Sequence, residues 1–300
     1  MDNRYSLQFP IEEPQLLRTA LTIYGISKKG LTAIKHRGGE LLVNGVEKTV
    51  RHSLERGDVV TVIFPPEIPS DKINPSPIPL NIVYEDEELL IVNKPPFLAT
   101  IPSYLHQEDS VASRVVAYFS QQNIASTVHI VNRLDRDTSG LMCIAKHSYI
   151  HYLLCEQQKQ QLVHRTYEAL VEGHIAKDYD DIIAPICRKD GSMIERIVSK
   201  DGQFAHTNYT VVERFAVDNQ QMTRVRLTLF TGRTHQIRVH MMHIGHPLVG
   251  DVLYGASEQH LNRQALHGVS LKLTHPITQQ HMAWDSELPT EIQSIVDAKN

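Results

Sequence analysis

The amino-acid sequence predicts an α+β protein of 300 residues in which strands and helices follow one another in mixed order. The predicted elements do not repeat as β-α-β-α, which disfavours a doubly wound parallel sheet. Apolar runs on both sides of the acidic residues 85–88 indicate a β-hairpin. Neither a GxGxxG loop nor a Walker loop follows a predicted strand, so we expect no nucleotide cofactor.

A proline-rich stretch at residues 65–79 divides the chain into two units. Its sequence, PPEIPSDKINPSPIP, holds six prolines and cannot form the interior of a helix or a sheet. We therefore predict a semi-rigid extended linker. It joins an N-terminal unit at residues 14–64 to a larger unit at residues 80–300.

The N-terminal unit is predicted to hold two helices, a hairpin and a final strand. Residues 14–25 form the first helix, and Ser27 can cap the second, at residues 28–37. Asn44-Gly45 is a tight-turn signal, and a strand at residues 57–64 follows. Basic side chains crowd the second helix without an intervening acidic residue: Lys28, Lys29, Lys35 and Arg37. Such a run forms either a solvated helix face or a contact surface for RNA.

The larger unit shows period-2 strand signals and period-3.6 helix signals in irregular order. The predicted elements are a hairpin at 81–97, a helix at 109–122, strands at 127–131 and 140–146, a helix at 148–160, strands at 165–173 and 222–230, a helix at 233–245, and strands at 265–273 and 281–285.

Composition and charge are those of an ordinary globular protein. Lys and Arg number 30 against 34 Asp and Glu, a formal net charge of −4, so a polyanion would have to be held by local basic patches. The three cysteines form no CxxC pair, and we expect neither disulfides nor a cysteine zinc site. Without a signal-peptide pattern or an apolar run of roughly 18 residues, we expect a cytoplasmic protein that does not enter the membrane.

The stretch VNRLDRDTSG at residues 131–140 places charged and turn-forming residues between two apolar runs. It could be only a tight turn between strands. Asp135 and Asp137 superficially resemble the nucleophile loop of haloacid-dehalogenase phosphatases, but no unbroken apolar strand leads into the first aspartate. Ser139 could serve as a hydrolase nucleophile, but the GxSxG context is missing.

A cluster of histidines at residues 235–246 raises the possibility of a zinc site. The sequence has no HExxH pattern and no cysteine nearby, and His246 lies beyond the helix-ending Gly245. We therefore expect RNA contacts or packed polar roles for these side chains, and no metal.

Residues 132–140, NRLDRDTSG, closely resemble the His-Arg-Leu-Asp-x-x-Thr-Ser-Gly motif of the RluA-type pseudouridine synthases, with Asn132 in place of the histidine. Four other segments resemble further motifs of this family: DEELLIVNKPP, RTYEALVEG, TGRTHQIRVHMMHIGHPLVGDVLYG and QALHGVSLKLTHP. The resemblance implies a catalytic domain with a mixed, largely antiparallel sheet and flanking helices. It also implies isomerisation of uridine to pseudouridine within RNA, without a cofactor or metal.

Residues 27–45, followed by LERGDVVTV, resemble the small alpha-L RNA-binding domain found in a ribosomal protein and in several RNA-modifying enzymes. With this domain in front, the resemblance implies an RNA partner, ribosomal RNA above all. We expect the protein to act as a monomer. The main rival is an RNA-binding module whose catalytic activity has decayed, and a magnesium-dependent phosphohydrolase is a more distant alternative.

The resemblance assigns roles to individual residues in this chemistry. Asp135 matches the catalytic aspartate, Arg238 the basic residue that pairs with it, and Tyr167 the tyrosine that stacks on the base. A guanidinium near a carboxylate favours its charged form. The uridine must be flipped out of the RNA, and Arg133 matches the arginine that fills the vacated space. Asp135 and Arg133 would share one side of a strand.

The surroundings of the predicted site include two further candidate residues and three positions where the sequence departs from the family pattern. Arg233 could contact phosphate, and Leu266 matches an apolar position near the target base or packs in the core. Asn132 keeps hydrogen-bonding capacity but has no titratable ring. Phe97 and Ile101 stand where many relatives have glycine and histidine, so we expect the choice of uridine to differ rather than the reaction.

Reversing two charges among Lys28, Lys29, Lys35 and Arg37 should weaken RNA binding and flatten its salt dependence. Each phosphate contact removed should lower the slope of log K against log salt by roughly 0.7 to 0.9. Binding titrations at several salt concentrations measure this slope. A slope equal to that of the unaltered protein would show that the helix face is merely solvated.

Overall fold

The computed structural model describes residues 4–102 and 109–299. In the N-terminal unit the elements are β1 (Ser6–Pro10), β2 (Gln15–Leu16), α1 (Leu17–Ile23), α2 (Lys28–His36), β3 (Glu40–Val43), β4 (Val46–Glu47), β5 (Ser53–Leu54) and β6 (Val59–Ile63). Its main sheet has the order β1-β6-β3-β4. Ser27 accepts a hydrogen bond from Gly30 N and so caps α2, as the sequence predicts.

The larger unit follows residues 65–79, which contain no helix or strand. Its elements are β7 (Ile82–Glu85), β8 (Leu89–Lys94), α3 (Val111–Gln121), β9 (His129–Ile130), β10 (Ser139–Ala145), α4 (Ser148–Lys159), β11 (His164–Glu172), β12 (Tyr179–Ile183), β13 (Ile186–Arg188), β14 (Arg196–Val198), β15 (His206–Val217), β16 (Gln220–Leu229), α5 (Gln236–His243), a 3₁₀ turn (Val252–Tyr254), β17 (Leu266–Thr274), β18 (His281–Asp285) and α6 (Thr290–Asp297).

A ten-stranded sheet forms the centre of the larger unit. Eight strands follow the order β12-β15-β16-β11-β17-β10-β8-β7, with β18 on β17 and β9 on β10. Neighbouring strands run antiparallel except β10 and β17, which are parallel. This architecture confirms the predicted α+β class and the mixed, largely antiparallel sheet.

One apolar core extends across both units. It joins Leu21 and Ile34 of the N-terminal helices to Ile150 of α4 and Leu271 of β17. Phe64, at the end of the N-terminal sheet, stacks on Tyr149 with ring centroids 4.9 Å apart. Burying such aromatic surface favours association of the two units, which holds the N-terminal unit beside the large sheet.

The proline-rich stretch is anchored by one carboxylate. Glu67 Oε1 accepts a hydrogen bond from Ser148 N at 2.8 Å, and its Oε2 lies 2.6 Å from His129 Nε2. The first of these contacts satisfies a free N–H at the start of α4 and places negative charge at the positive end of the helix. The predicted linker therefore lies docked on the large unit at this point.

Helices in the described residues are too short or too polar to cross a membrane.

The parallel β10–β17 contact requires glycine at residue 140. Gly140 has a φ of +123°, and a Cβ there would lie 2.3 Å from Gly268 N. Gly140→Ala should lower the free energy of unfolding by about 3–5 kcal/mol, from backbone strain and from separation of the strands. Urea denaturation followed by circular dichroism measures the loss.

Gly45→Ala is the matched control. Gly45 also has a positive φ, +79°, but no heavy atom lies within 4 Å of its added Cβ. The control should lose only about 1–2 kcal/mol, from the left-handed backbone alone. Equal losses for the two variants would contradict the close-approach argument.

Candidate active site

A cleft of about 510 Å³ opens beside the loop that joins β9 to β10. Asp135 and Arg133 of that loop line it together with Arg165 and Tyr167 of β11, and Arg233 stands at its rim. A small adjoining extension of about 50 Å³ shares several of these residues and is also lined by Arg238 and Leu266. The structure thus brings together the six residues that the motifs assign to catalysis and substrate binding: Asp135, Tyr167, Arg238, Arg133, Arg233 and Leu266.

Asp135 and Arg238 form an ion pair across this cleft. Arg238 Nη1 donates to Asp135 Oδ2 at 3.3 Å, although 103 residues separate the two in the chain. The Asp135 side chain is 26% exposed, whereas that of Arg238 is 9% exposed. A partly exposed carboxylate is therefore oriented by a nearly buried cation, which suits a group that must meet a substrate in a defined orientation.

Arg238 is itself held by Asp251, a residue that the sequence analysis did not single out. Its Nε donates to Asp251 Oδ2 at 2.7 Å and its Nη2 donates to Oδ1 at 2.8 Å. This two-point contact fixes the guanidinium plane and leaves Nη1 for Asp135. Burial disfavours the charge on Arg238, but Asp251, and then Asp135, raise the pKa of the guanidinium above its usual value.

Tyr254 and His235 complete the surroundings of the ion pair. The Arg238 guanidinium lies 5.0 Å from the Tyr254 ring centroid, a cation–π distance. The Tyr254 hydroxyl lies 2.9 Å from His235 Nδ1, and His235 Nε2 lies 3.9 Å from Asp135 Oδ2. Burial lowers the pKa of His235 against the opposing effect of Asp135, so the imidazole is neutral near pH 7.

Tyr167 and Leu266 form the apolar side of the cleft. Both side chains are buried, with 4% exposure each. Burial raises the pKa of the Tyr167 phenol, while the neighbouring Arg165 opposes the shift, so the hydroxyl keeps its proton at neutral pH. Leu266 belongs to the same core cluster as Tyr167 and also lines the adjoining extension, so it serves both in packing and in the cavity wall.

Arg133 and Arg233 are two exposed cations that line the cleft. Arg233 Nε donates to Phe204 O at 2.9 Å, whereas Arg133 has no hydrogen bond or ion pair within residues 4–102 and 109–299. The prediction that Arg133 and Asp135 lie in a strand is wrong, because both residues lie in a loop. Burial still alternates there, since Leu134 between them is buried, so the two side chains share the cleft.

Side chains from outside the loop bind its backbone and hold its shape. Lys94, 1% exposed, donates to Arg136 O at 2.8 Å and also to Pro95 O and Leu98 O. Thr100 Oγ1 donates to Leu134 O at 2.6 Å. On the other side, the buried Arg263 donates to Asp137 O at 3.1 Å. With its carbonyls bound from both sides, the loop presents Asp135 in a defined position.

The three departures from the family pattern differ in their local structure. Asn132 is buried; its Oδ1 accepts from Cys143 N at 2.8 Å and its Nδ2 donates to Leu141 O at 3.3 Å, so one amide both accepts from and donates to β10. Phe97 has a φ of +62°, a left-handed conformation that favours glycine. Ile101 lines the cleft beside Asp135 and so contributes to its substrate-facing surface.

The competing assignments for this loop fit the structure less well. Ser139 Oγ lies 2.8 Å from His267 Nδ1, as in a nucleophile–base pair, but both side chains are at most 2% exposed and no substrate could reach them. Asp137 does not line the cleft and pairs with Arg136 Nε at 2.6 Å. The phosphatase arrangement of two aspartates facing one substrate is therefore absent from the described cleft.

The histidines of α5 and a cluster of two carboxylates with His275 are the places where metal ligands could gather. His240 is buried, and its two ring nitrogens contact Thr207 Oγ1 and Ala184 O at 2.9 Å. Asp86, Glu88 and His275 bring three ligand atoms within 4.8 Å of one another. His275 Nδ1, however, accepts from two backbone N–H groups, which leaves the proton on Nε2 facing Asp86. The cluster thus presents an N–H rather than a free lone pair.

The basic residues of α2 lie away from the cleft, on the surface of the N-terminal unit. Lys28, Lys29, Lys35 and Arg37 are all exposed. Lys29 and Arg37 line a groove of about 570 Å³ between α2 and α4. Lys28 and Lys29 occupy the first turn of α2, where positive charge is unfavourable for the helix.

Comparison with known proteins gives one consistent result. The family model described as RNA pseudouridylate synthase matches residues 88–243. An uncharacterised RNA pseudouridine synthase of Bacillus subtilis (strain 168), YjbO, is 45% identical over 276 residues, covering 92% of this chain and 96% of that protein. Ribosomal large subunit pseudouridine synthase D of Escherichia coli (strain K12) is 38% identical over 240 residues, covering 75% and 72%.

A solved structure agrees with the sequence matches. Human RNA pseudouridylate synthase domain containing 1 superposes with a TM-score of 0.61 at 25% identity, covering 75% of this chain and 89% of that one.

The pH dependence of the free energy of unfolding tests the role of Lys94 beneath the loop, with Lys94→Met as the variant. Burial lowers the pKa of Lys94 to about 7, against the opposing effect of Asp137 and Asp135, while the unfolded chain keeps a lysine pKa near ~10.4. Between these values the unfolded state binds the additional proton, so stability due to Lys94 rises with pH. From pH 7 to 10, the free energy of unfolding of the unaltered protein should rise by on the order of 3 kcal/mol relative to that of Lys94→Met.

Lys72→Met, at an exposed lysine of the proline-rich stretch, is the control and should show no such divergence. A constant difference between the unaltered protein and Lys94→Met would contradict the prediction. It would mean that the three carbonyl acceptors keep the ammonium charged throughout.

Proposed function

This chain is a member of the RNA pseudouridylate synthase family, and we propose that it isomerises uridine to pseudouridine in ribosomal RNA through the cleft that Asp135 lines. The observation that carries the proposal is the pair of Asp135 and the buried Arg238 at the wall of a cleft next to Tyr167. Ribosomal RNA is favoured because relatives that share 38% of their residues with the chain are named for the large ribosomal subunit.

The reaction breaks the bond between ribose C1′ and uracil N1, rotates the uracil, and forms a bond from C1′ to C5. The proton on C5 leaves and N1 gains one, so atoms and charge balance. Asp135 is the group that begins this sequence, by attack on the sugar, by attack on uracil C6, or by removing a ribose proton. Each route requires a carboxylate held in a fixed position, and the Arg238 guanidinium 3.3 Å away pairs with Asp135 and orients it.

The remaining residues of the cleft bind and orient the flipped nucleotide. Tyr167 offers a flat, protonated phenol on which uracil can stack, and Leu266 closes the apolar end of the extension. Arg133, exposed and without a protein partner in the described residues, is free to occupy the gap left in the RNA. Arg233 is exposed at the rim, where it can contact phosphate.

The N-terminal unit adds affinity without choosing the base. We propose that residues 14–64 form an alpha-L RNA-binding domain whose α2 face contacts phosphates. Two lysines in the first turn of α2 oppose the helix dipole, a placement that a bound polyanion would make favourable. We further propose, as expected from the sequence, a monomeric, cytoplasmic enzyme that needs neither cofactor nor metal.

Asp135→Asn should abolish pseudouridine formation while preserving RNA binding. The change keeps the shape of the side chain but removes its charge and its nucleophile, and such losses commonly cost several orders of magnitude in rate. Affinity should persist because phosphate contacts elsewhere supply most of it. Tritium release from C5-labelled uridine in a large-subunit ribosomal RNA transcript measures the reaction, with binding followed in parallel.

Asp137→Asn is the matched control, because Asp137 lies two residues away but does not line the cleft. Its rate should stay within about tenfold of the unaltered protein, since a surface ion pair contributes little. Substantial release by the Asp135→Asn protein would refute the proposed role. Equal inactivation by both changes would instead favour a two-aspartate mechanism such as that of a phosphatase.

A further inference from the structure

Arg165 lies in the cleft but has no role in the reaction described so far. It precedes Tyr167 by two residues in β11, and residues at i and i+2 of a strand point to the same face of a sheet. Both side chains line the 510 Å³ cleft together with Asp135. The charge of Arg165 also acts on the Tyr167 phenol, where it opposes the rise in pKa. The guanidinium therefore stands close to the reacting groups.

The guanidinium of Arg165 makes no hydrogen bond or ion pair within residues 4–102 and 109–299. Its Nε is fully enclosed and has no partner. On the opposite face of the same sheet, Arg224 and Arg226 each bind the Glu168 carboxylate through two nitrogens. Buried polar atoms of arginine are seldom left unpaired, so the unpaired N–H donors of Arg165 point to a partner outside the described residues.

Gly232 lies next to the guanidinium of Arg165. A Cβ added at Gly232 would lie 3.3 Å from Arg165 Nη1, closer than side chains normally approach. Gly232 and Arg233 are both exposed at the rim. The lack of a side chain at Gly232 thus avoids crowding the Arg165 guanidinium, which lines the cleft beside it.

The charge balance of the cleft specifies an anion. Asp135 is the single carboxylate among the described residues that line it, and Arg238 already compensates that charge. Arg133, Arg165 and Arg233 add positive charges, and no carboxylate among the described residues neutralises them. The planar fork of a guanidinium matches two oxygens of one phosphate, whereas a uracil carbonyl offers a single neutral oxygen.

We propose that Arg165 binds the non-bridging oxygens of a backbone phosphate adjacent to the flipped uridine, and so fixes the position of the ribose relative to Asp135. This inference rests on the proposed function, because it takes the occupant of the cleft to be an RNA nucleotide. Arg165 is a substrate-binding residue that the family motifs, as applied to this sequence, did not assign. Its contact is separate from the rim contacts of Arg133 and Arg233.

Single-turnover tritium release from a C5-labelled large-subunit ribosomal RNA transcript tests the proposal. The half-saturating protein concentration is measured between 50 and 200 mM salt for the unaltered protein, Arg165→Gln, Arg165→Lys and the control Arg226→Gln. Losing one phosphate contact should lower the slope against log salt by roughly 0.7–0.9, so the fourfold rise in salt weakens Arg165→Gln about threefold less than the unaltered protein.

Arg165→Lys should recover most of the slope, because the charge remains while the fork is lost. Arg226→Gln should keep the full slope, because its guanidinium faces the other side of the sheet. An unchanged slope for Arg165→Gln, with or without a lower rate at saturation, would overturn the proposal and assign Arg165 to the base or the phenol. The same slope loss in Arg226→Gln would also overturn it.

Failure of the inference is distinguishable from failure of the proposed function. No tritium release by the unaltered protein on any transcript would overturn the proposed function, and this inference with it. Release by the unaltered protein with an unchanged Arg165→Gln slope would overturn the inference alone.

Discussion

The ion-pair chain from Asp251 through Arg238 to Asp135 is the constraint on which the rest of the site depends. Arg238 is a buried cation, and removing one partner of such a pair typically costs 3–5 kcal/mol, so Asp251 is needed to keep the guanidinium in place. With two nitrogens committed to Asp251, the third can only point toward Asp135. A single carboxylate deep in the protein thereby determines where the reactive carboxylate at the surface is held.

The loop that carries Asp135 is shaped by its neighbours rather than by its own secondary structure. Lys94 and Arg263 bind its carbonyls from opposite sides, and the close approach of Gly140 to Gly268 joins it to the centre of the sheet. A loop held this way can expose a charged side chain without losing its position, which is what an active site that receives a bulky RNA requires.

Much of the fold and of the candidate site could be predicted from local sequence patterns. The features that were not predicted depend mainly on contacts between residues far apart in the chain. The helix α2 with its Ser27 cap, the β-hairpins and the fold class follow from short-range signals, and the motif identified Asp135 and Arg238. Two elements, β15 and α6, were not predicted, although the sequence contains the period-2 alternation of the strand and the apolar spacing of the helix. Asp251 and Lys94 lie within segments that resemble the family motifs, but their roles were not predicted, because these arise from contacts across 13 and 42 residues of chain.

Pseudouridine mapping in total RNA tests the central claim most directly. RNA would be compared from the parent strain, a strain lacking this gene, and that strain carrying either the unaltered gene or the Asp135→Asn gene. We predict that at least one pseudouridine in large-subunit ribosomal RNA disappears on deletion and returns only with the unaltered gene. An unchanged pseudouridine pattern in all RNA of the deletion strain, or restoration by the Asp135→Asn gene, would contradict the account.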